Sequence, residues 1–217
     1  MTRRLHCAAC LRPKSSCICH WVTPVAHQAE VLILQHPLEA DNPKGTARLL
    51  QLSLQSSRLL CGEVFDAGAW QSSDNTRHNI LLYPDRPSDR GAGLPLPPAP
   101  APDVLDDPSQ LRLIVLDGTW RKSRKLLYLN PALQQLPRMS LRDLPASSYR
   151  IRRAHRPDQL STLEAVCAAL AQLEGNTGQF QPLLDAFDGF VAQQLAFAAP
   201  GPKSVSKIGL QPPPDGS

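Results

Sequence analysis

No run in this 217-residue chain approaches the ~18 consecutive apolar residues that a helix needs to cross a bilayer, which leaves no candidate for a helical membrane span. An acidic side chain is missing before Glu30, where Arg3, Arg4, Arg12 and Lys14 stand unopposed, and this basic start lacks the apolar centre of a secretory leader. A soluble, cytoplasmic chain is therefore expected, with no membrane association and no obligate protein partner. Acidic residues are scarce again between Thr119 and Asp158, where ten Arg or Lys face only Asp143 and Asp158. The formal net charge of +4 thus conceals a local excess of eight, and the rest of the chain sums to −4. Two patches of one sign suit a polyanionic partner, because each Lys or Arg that meets a phosphate releases counterions. A solvated basic face is the plainer alternative.

What is present suffices for one good core, since 42% of the residues are hydrophobic, and a single domain with appendages is expected. The continuous apolar run at residues 30–35 predicts a strand buried on both faces, stopped by Pro37. A short helix over 45–54 and strands at 63–65 and 79–83 follow, so the chain alternates as an α/β protein does. Residues 84–108 hold eight prolines and read as an extended, solvated insertion. The sheet resumes at 111–116 (LRLIVL), and the next helix is expected to turn Trp120, Ser123, Leu127 and Tyr128 inward. A weak strand pair is expected at 138–141 and 148–152. Ser161 and Glu164 form a capping-box signature ahead of a helix that Gly175 stops, and Phe180 to Val191 mark a last helix. Residues 198–217 read as a flexible tail.

Of six cysteines, Cys7, Cys10, Cys17 and Cys19 fall within thirteen positions, whereas Cys61 and Cys167 sit alone in apolar surroundings and are expected in the core. The spacing C-x2-C-x6-C-x-C offers four soft ligands to one tetrahedral ion, and so short a loop cannot bury enough apolar surface to hold its shape alone. Structural zinc is the preferred reading, because four thiolates fill the coordination sphere; an iron–sulfur cluster and unligated thiols are the alternatives. Arg12 and Lys14 lie between the ligand pairs and point to nucleic-acid contact.

Ligands in parallel α/β sheets bind beyond the carboxyl ends of strands, and Asp117 stands there in the string Asp117-Gly118-Thr119-Trp120. By itself such an Asp can be no more than a helix cap. Further strings accompany it in a fixed order: the cysteine clip, Leu34-Gln35-His36-Pro37-Leu38-Glu39, Tyr149-Arg150-Ile151-Arg152, and Leu160-Ser161-Thr162-Leu163-Glu164-Ala165. Together they resemble the DTW-domain family of tRNA-uridine aminocarboxypropyltransferases, distant relatives of the SPOUT methyltransferases, over roughly residues 7–191. The proline-rich insertion and the tail depart from the family pattern.

The resemblance implies an α/β fold with a SPOUT-like knotted, mostly parallel sheet and flanking helices, preceded by the four-cysteine zinc motif. It divides the chain into a zinc motif (1–22), a catalytic domain (23–197) carrying the insertion, and the tail. It implies transfer of the 3-amino-3-carboxypropyl group from S-adenosylmethionine to N3 of a tRNA uridine, with methylthioadenosine released. Asp117 would then be either the general base for N3, strengthened by burial beside Trp120, or the ligand of the donor's ammonium group. Trp120 would stack on a base or pack, and Thr119 would contact the donor or cap the helix. Gln35, His36, Leu116, Gly118, Ser161, Thr162, Leu163 and Glu164 would line the donor site, with the helix start at Ser161 facing the donor's carboxylate. Arg121, Lys122, Arg124, Lys125, Arg150, Arg152 and Arg153 join Arg12 and Lys14 as the expected RNA contacts. A SPOUT-type RNA methyltransferase and a non-catalytic zinc-ribbon RNA-binding protein are the competing readings.

Overall fold

The structure is a computed structural model and describes residues 5–66, 68, 77–84, 96–141 and 160–198. Two strands built almost wholly of branched aliphatic residues, β1 (Glu30–Gln35) and β4 (Leu111–Asp117), lie side by side at the centre of a five-stranded sheet. The flanking strands are β2 (Ser57–Cys61), β3 (His78–Leu82) and β5 (Arg138–Met139), giving the order β2-β1-β4-β3-β5 with every pairing parallel. A parallel sheet covered on both faces requires strands apolar on both sides, which is why β1 and β4 show no polar alternation.

Among the described residues there are also seven α-helices, besides short 3-10 turns: α1 (Pro37–Ala40), α2 (Ala47–Ser53), α3 (Pro102–Leu105), α4 (Trp120–Leu129), α5 (Pro131–Gln134), α6 (Thr162–Glu174) and α7 (Gln181–Ala198). The pleat sends alternate side chains to opposite faces. Val31, Ile33, Leu113 and Val115 meet residues of α2, α6 and α7, including Leu50, Val166, Leu170 and Phe187. Leu32, Leu34, Ile114 and Leu116 meet Leu126 and Leu127 of α4 and Leu133 of α5. Helix α6 begins with the expected capping box and ends at Gly175, whose φ of 64° takes the left-handed turn that glycine tolerates best.

Several sequence expectations need correction. The strand after α2 is Ser57–Cys61, not 63–65; as an edge strand with partial burial it lacks the solid apolar run that marks β1. Cys61, at its end, is exposed, whereas Cys167 is buried in the core as expected. In α4 the inward face is Ser123, Leu126 and Leu127, while Trp120 and Tyr128 are exposed. The two leucines supply the core contact, so the aromatics stay outside. The insertion is not wholly solvated, because α3 lies within it and Val104 and Leu105 pack on the core. Strand β5 pairs with β3; the expected partner at 148–152 lies outside the described residues, as do residues 85–95 and the tail.

The cysteine segment does not stand apart from this body. Cys10 and Ile18 are buried in the same core cluster as α7, and the indole nitrogen of Trp21 donates to Gln193 at 2.7 Å. Gly189 leaves the space that the Trp21 ring fills, since a Cβ there would overlap the six-membered ring. At the opposite end of the sheet, Arg112 is 1% exposed and donates to Glu30 at 2.8 Å, with Arg58 and Arg77 also near that carboxylate. Burial opposes ionisation of Glu30, but the hydrogen bond and charge of Arg112, helped by Arg58 and Arg77, outweigh it and hold the carboxyl below its usual range.

Two measurements check this account. Gly189→Ala is expected to cost ~1–3 kcal/mol of unfolding free energy by overpacking, and much less in a Trp21→Ala background, read from urea midpoints of the four proteins. A carboxyl with a depressed folded pKa contributes stability above its unfolded pKa and loses it as pH falls through the folded one. The urea midpoint should therefore drop as pH falls below ~4. Glu30→Gln should flatten that drop while lowering the midpoint at neutral pH, because Arg112 is left buried without its carboxylate.

Candidate active site

The carboxyl ends of β1 and β4 are in register, so Gln35 and Asp117 lie side by side. Asp117 is 4% exposed, and its two oxygens are held from different directions. Gln35 donates to Oδ2 at 2.8 Å from the neighbouring strand, and the Thr162 hydroxyl donates to Oδ1 at 2.6 Å from the first turn of α6. A buried carboxylate needs such donors, and these two fix its orientation. Gly118 follows without a side chain because a Cβ there would press on Cβ of Lys122, one turn into α4. Thr119 occupies the N-cap position of α4, yet its side chain makes no capping hydrogen bond and is exposed. Trp120 is exposed beside it and meets Tyr83 edge-on, with ring centroids 6.1 Å apart. Leu116 is buried beneath the turn.

The start of α6 is already occupied in part. The amides of Glu164 and Leu163 donate to the hydroxyls of Ser161 and Thr46, and Glu164 in turn accepts from the Ser161 amide at 2.7 Å. Ser161 and Glu164 thus complete the cap, Leu163 is buried in the core, and Thr162 carries the contact to Asp117. His36 is 2% exposed: Nδ1 accepts from the Leu38 amide at 3.2 Å, and Nε2 faces Glu63 at 3.1 Å. Its imidazole is a fixed turn element. Lys125 is the main cause that holds Glu63 below the usual carboxylate range, through a 2.7 Å hydrogen bond.

The expected basic surface divides into two groups. Arg121 and Arg124 are exposed on α4. Lys122 is tied to the buried Glu39 at 2.9 Å, and Lys125 to Glu63. Arg12 donates to the carbonyls of Pro43 and Gly45 at 2.6 and 2.9 Å and lies over the Phe190 ring, which fastens the cysteine segment to the loop before α2. Lys14 is exposed. Arg150, Arg152 and Arg153 lie outside the described residues. Sequence reasoning missed Thr46, Glu39, Glu63 and Tyr83. Thr46 had a legible signal, a Thr just ahead of an apolar helical run, but its hydroxyl serves α6 instead of its own helix.

The four clip sulfurs lie within 4.8 Å of one another, with Cys7 to Cys19 at 3.5 Å and Cys10 to Cys17 at 3.7 Å. A tetrahedron with metal–sulfur bonds of ~2.3 Å has edges of ~3.8 Å, so these residues fit one ion. A tight turn builds the first pair: Leu11 takes a left-handed φ of 62°, and its amide bonds back to the Cys7 carbonyl at 2.9 Å. The amides of Cys10 and Ala9 hold the Cys7 thiol down to about 6, while burial and the neighbouring sulfurs push Cys19 up to about 12. Four crowded thiolates need a cation to coexist, and the quartet could hold one metal ion.

A parallel sheet with a clamped carboxylate at the carboxyl end of its central strand, joined to a four-thiol clip, defines an α/β protein of the class in which ligands bind beyond strand ends. The chain belongs to the DTW domain family, whose model matches residues 4–195. It is 30% identical to tRNA-uridine aminocarboxypropyltransferase 2 of Drosophila melanogaster over 84% of this chain and 72% of that protein. It is 28% identical to the Mus musculus protein of the same name over 91% of this chain and 66% of that one. An Arabidopsis thaliana relative, tRNA-uridine aminocarboxypropyltransferase A, is 30% identical over 58% of this chain and 51% of its own length. No solved structure matches the chain significantly.

The clip generates a direct expectation. Metal analysis of the purified chain should find a single ion per molecule, and cobalt exchanged into the site should give a tetrahedral thiolate spectrum. Cys17→Ser should abolish both and lower the melting temperature; four freely titrating clip thiols in the untreated native chain would contradict the assignment.

Proposed function

We propose that this chain transfers the 3-amino-3-carboxypropyl group of S-adenosylmethionine to N3 of a uridine in tRNA, releasing methylthioadenosine. The observation that carries the reading is the Asp117 carboxylate, clamped by Gln35 and Thr162 at the end of β4 with Thr119 and Trp120 exposed beside it. The names of the relatives support the activity and the tRNA substrate. The donor supplies a methylene made electrophilic by its sulfonium. As N3 bonds to that carbon, the carbon–sulfur electron pair passes to sulfur and the N3 proton leaves.

The chain's part is to select one of three electrophilic carbons, which is a task of orientation, and orientation alone can supply several kcal/mol of barrier lowering. Asp117 serves either as acceptor of the N3 proton or as ligand of the donor's ammonium group, and its fixed geometry suits both. Gln35 and Thr162 orient it, Trp120 offers an aromatic face to a base, and the exposed Arg121 and Arg124 lie on the adjoining helix, where a phosphate backbone would run. Arg150, Arg152 and Arg153, outside the described residues, are proposed as further phosphate contacts from their sequence alone. Zinc is the metal we assign to the four thiolates, in a structural role. A SPOUT-like knot is the proposed finer topology: β4 lies between β1 and β3, and α6 returns after residues 142–159 to meet the end of β4. A tRNA substrate suits the cytoplasm, and the variable loop is the proposed site of modification.

The test is the fate of labelled donor. Carboxyl-labelled S-adenosylmethionine should mark tRNA with release of methylthioadenosine; methyl label appearing in tRNA without carboxyl label would replace this reading with a methyltransferase. Asp117→Asn separates the two roles. A fall in kcat of ~10²–10⁴ with donor affinity intact identifies the base, whereas a rise in donor KM as the main effect identifies the ammonium ligand.

A further inference from the structure

Arg138 is a buried cation without a described anion. It is 8% exposed, and its Nε and Nη2 have no hydrogen-bond partner among the described residues. Other inward cations behave differently: Arg112 meets Glu30 and Lys122 meets Glu39. The guanidinium of Arg138 lies 5.2 Å from the centroid of the Tyr83 ring. A ring face stabilises a desolvated guanidinium only modestly compared with the cost of taking that charge out of water, so the cation–π contact leaves most of the cost standing. A side chain held in this state is ready for an anion.

Its place in the fold indicates which one. In the parallel pairing Arg138 is opposite Leu81, one residue before the carboxyl end of β3, and Tyr83 lies on the same face of the sheet as Leu81. Tyr83 in turn meets Trp120, three residues past Asp117. Arg138 is thus one aromatic ring removed from Trp120, on the sheet face opposite to the one toward which Asp117 turns, so a donor held by both would pass over the strand ends.

We propose that Arg138 receives the α-carboxylate of the S-adenosylmethionine donor. This rests on the transferase reading and deepens it. The carboxylate needs a cation or several open amides, and the helix start that sequence reasoning assigned to it has its Leu163 and Glu164 amides engaged by Thr46 and Ser161. A guanidinium can take a carboxylate through two parallel hydrogen bonds, which fixes the plane of the amino-acid end as well as its position. Burial favours a slender amino-acid chain over a phosphate on the surface of a folded RNA. Holding that end is also what selects the aminocarboxypropyl carbon over the methyl carbon.

The experiment is a binding cycle by calorimetry with S-adenosylmethionine, its decarboxylated analogue and methylthioadenosine. Wild-type protein should bind the complete donor ~10–100-fold more tightly than the decarboxylated one. Arg138→Gln and Arg138→Lys should lose most of that preference and bind the decarboxylated donor and methylthioadenosine as wild type does. A folded variant that keeps the full preference overturns the proposal, as does a variant that loses tRNA affinity alone, which would make Arg138 a phosphate contact. Should both variants fail to fold, the wild-type ratio still decides: equal affinity for the two donors overturns the assignment. Wild type that binds none of the three ligands sinks the transferase reading along with it.

Discussion

The hydrogen bond from the Thr162 hydroxyl to Asp117 joins the two halves of the described chain at the point where chemistry is expected. A carboxylate ending the most buried strand would be costly without donors, and the Thr162 hydroxyl comes from a helix forty-five residues later. That helix is set by its own cap, by Leu163 in the core, and by Thr46 at the start of α2. The loop before Thr46 is in turn fastened by Arg12. A continuous set of contacts therefore runs from the cysteine segment to the central carboxylate, and a shift at one end bears on the geometry at the other.

Charge is distributed in a way that the bare sequence conceals. The basic excess after Thr119 looks like one surface, yet Lys122 and Lys125 are partnered by Glu39 of α1 and by Glu63 in the loop following β2. Glu63 also faces His36, so that the turns beyond three strands are laced together by side-chain contacts as well as by the sheet. Arg121, Arg124 and Lys125 are all exposed on α4, with Tyr128 further along the helix.

Periodicity revealed the central strands because burial on both faces leaves an unbroken aliphatic run, and it revealed α6 because the capping box and Gly175 are local signals. It failed at β2, an edge strand whose burial is partial, and in part at α4, where Ser123 and Leu127 turn inward as expected but Leu126 takes the place expected of Trp120 and Tyr128. Asp117 was legible from its place after a strand, and the clip from its spacing. Gln35 and Thr162 were named with the site, but the contacts that give these residues their geometry were not legible, since Thr162–Asp117 and Arg12–Gly45 join segments distant in sequence. Arg138 was invisible for another reason: its significance is the absence of a described counter-charge, which no sequence pattern encodes.

The seat of Trp21 against Gly189 and Gln193 also sets an order of events during synthesis. The cysteines leave the ribosome well before α7 and can close on an ion while the intervening chain is still being made. The surface on which they rest is translated some 170 residues afterwards, and closing so long a loop is a slow kind of contact. Until α7 arrives, Trp21 lacks the surface that covers it, so the nascent chain carries a sticky, preformed knuckle.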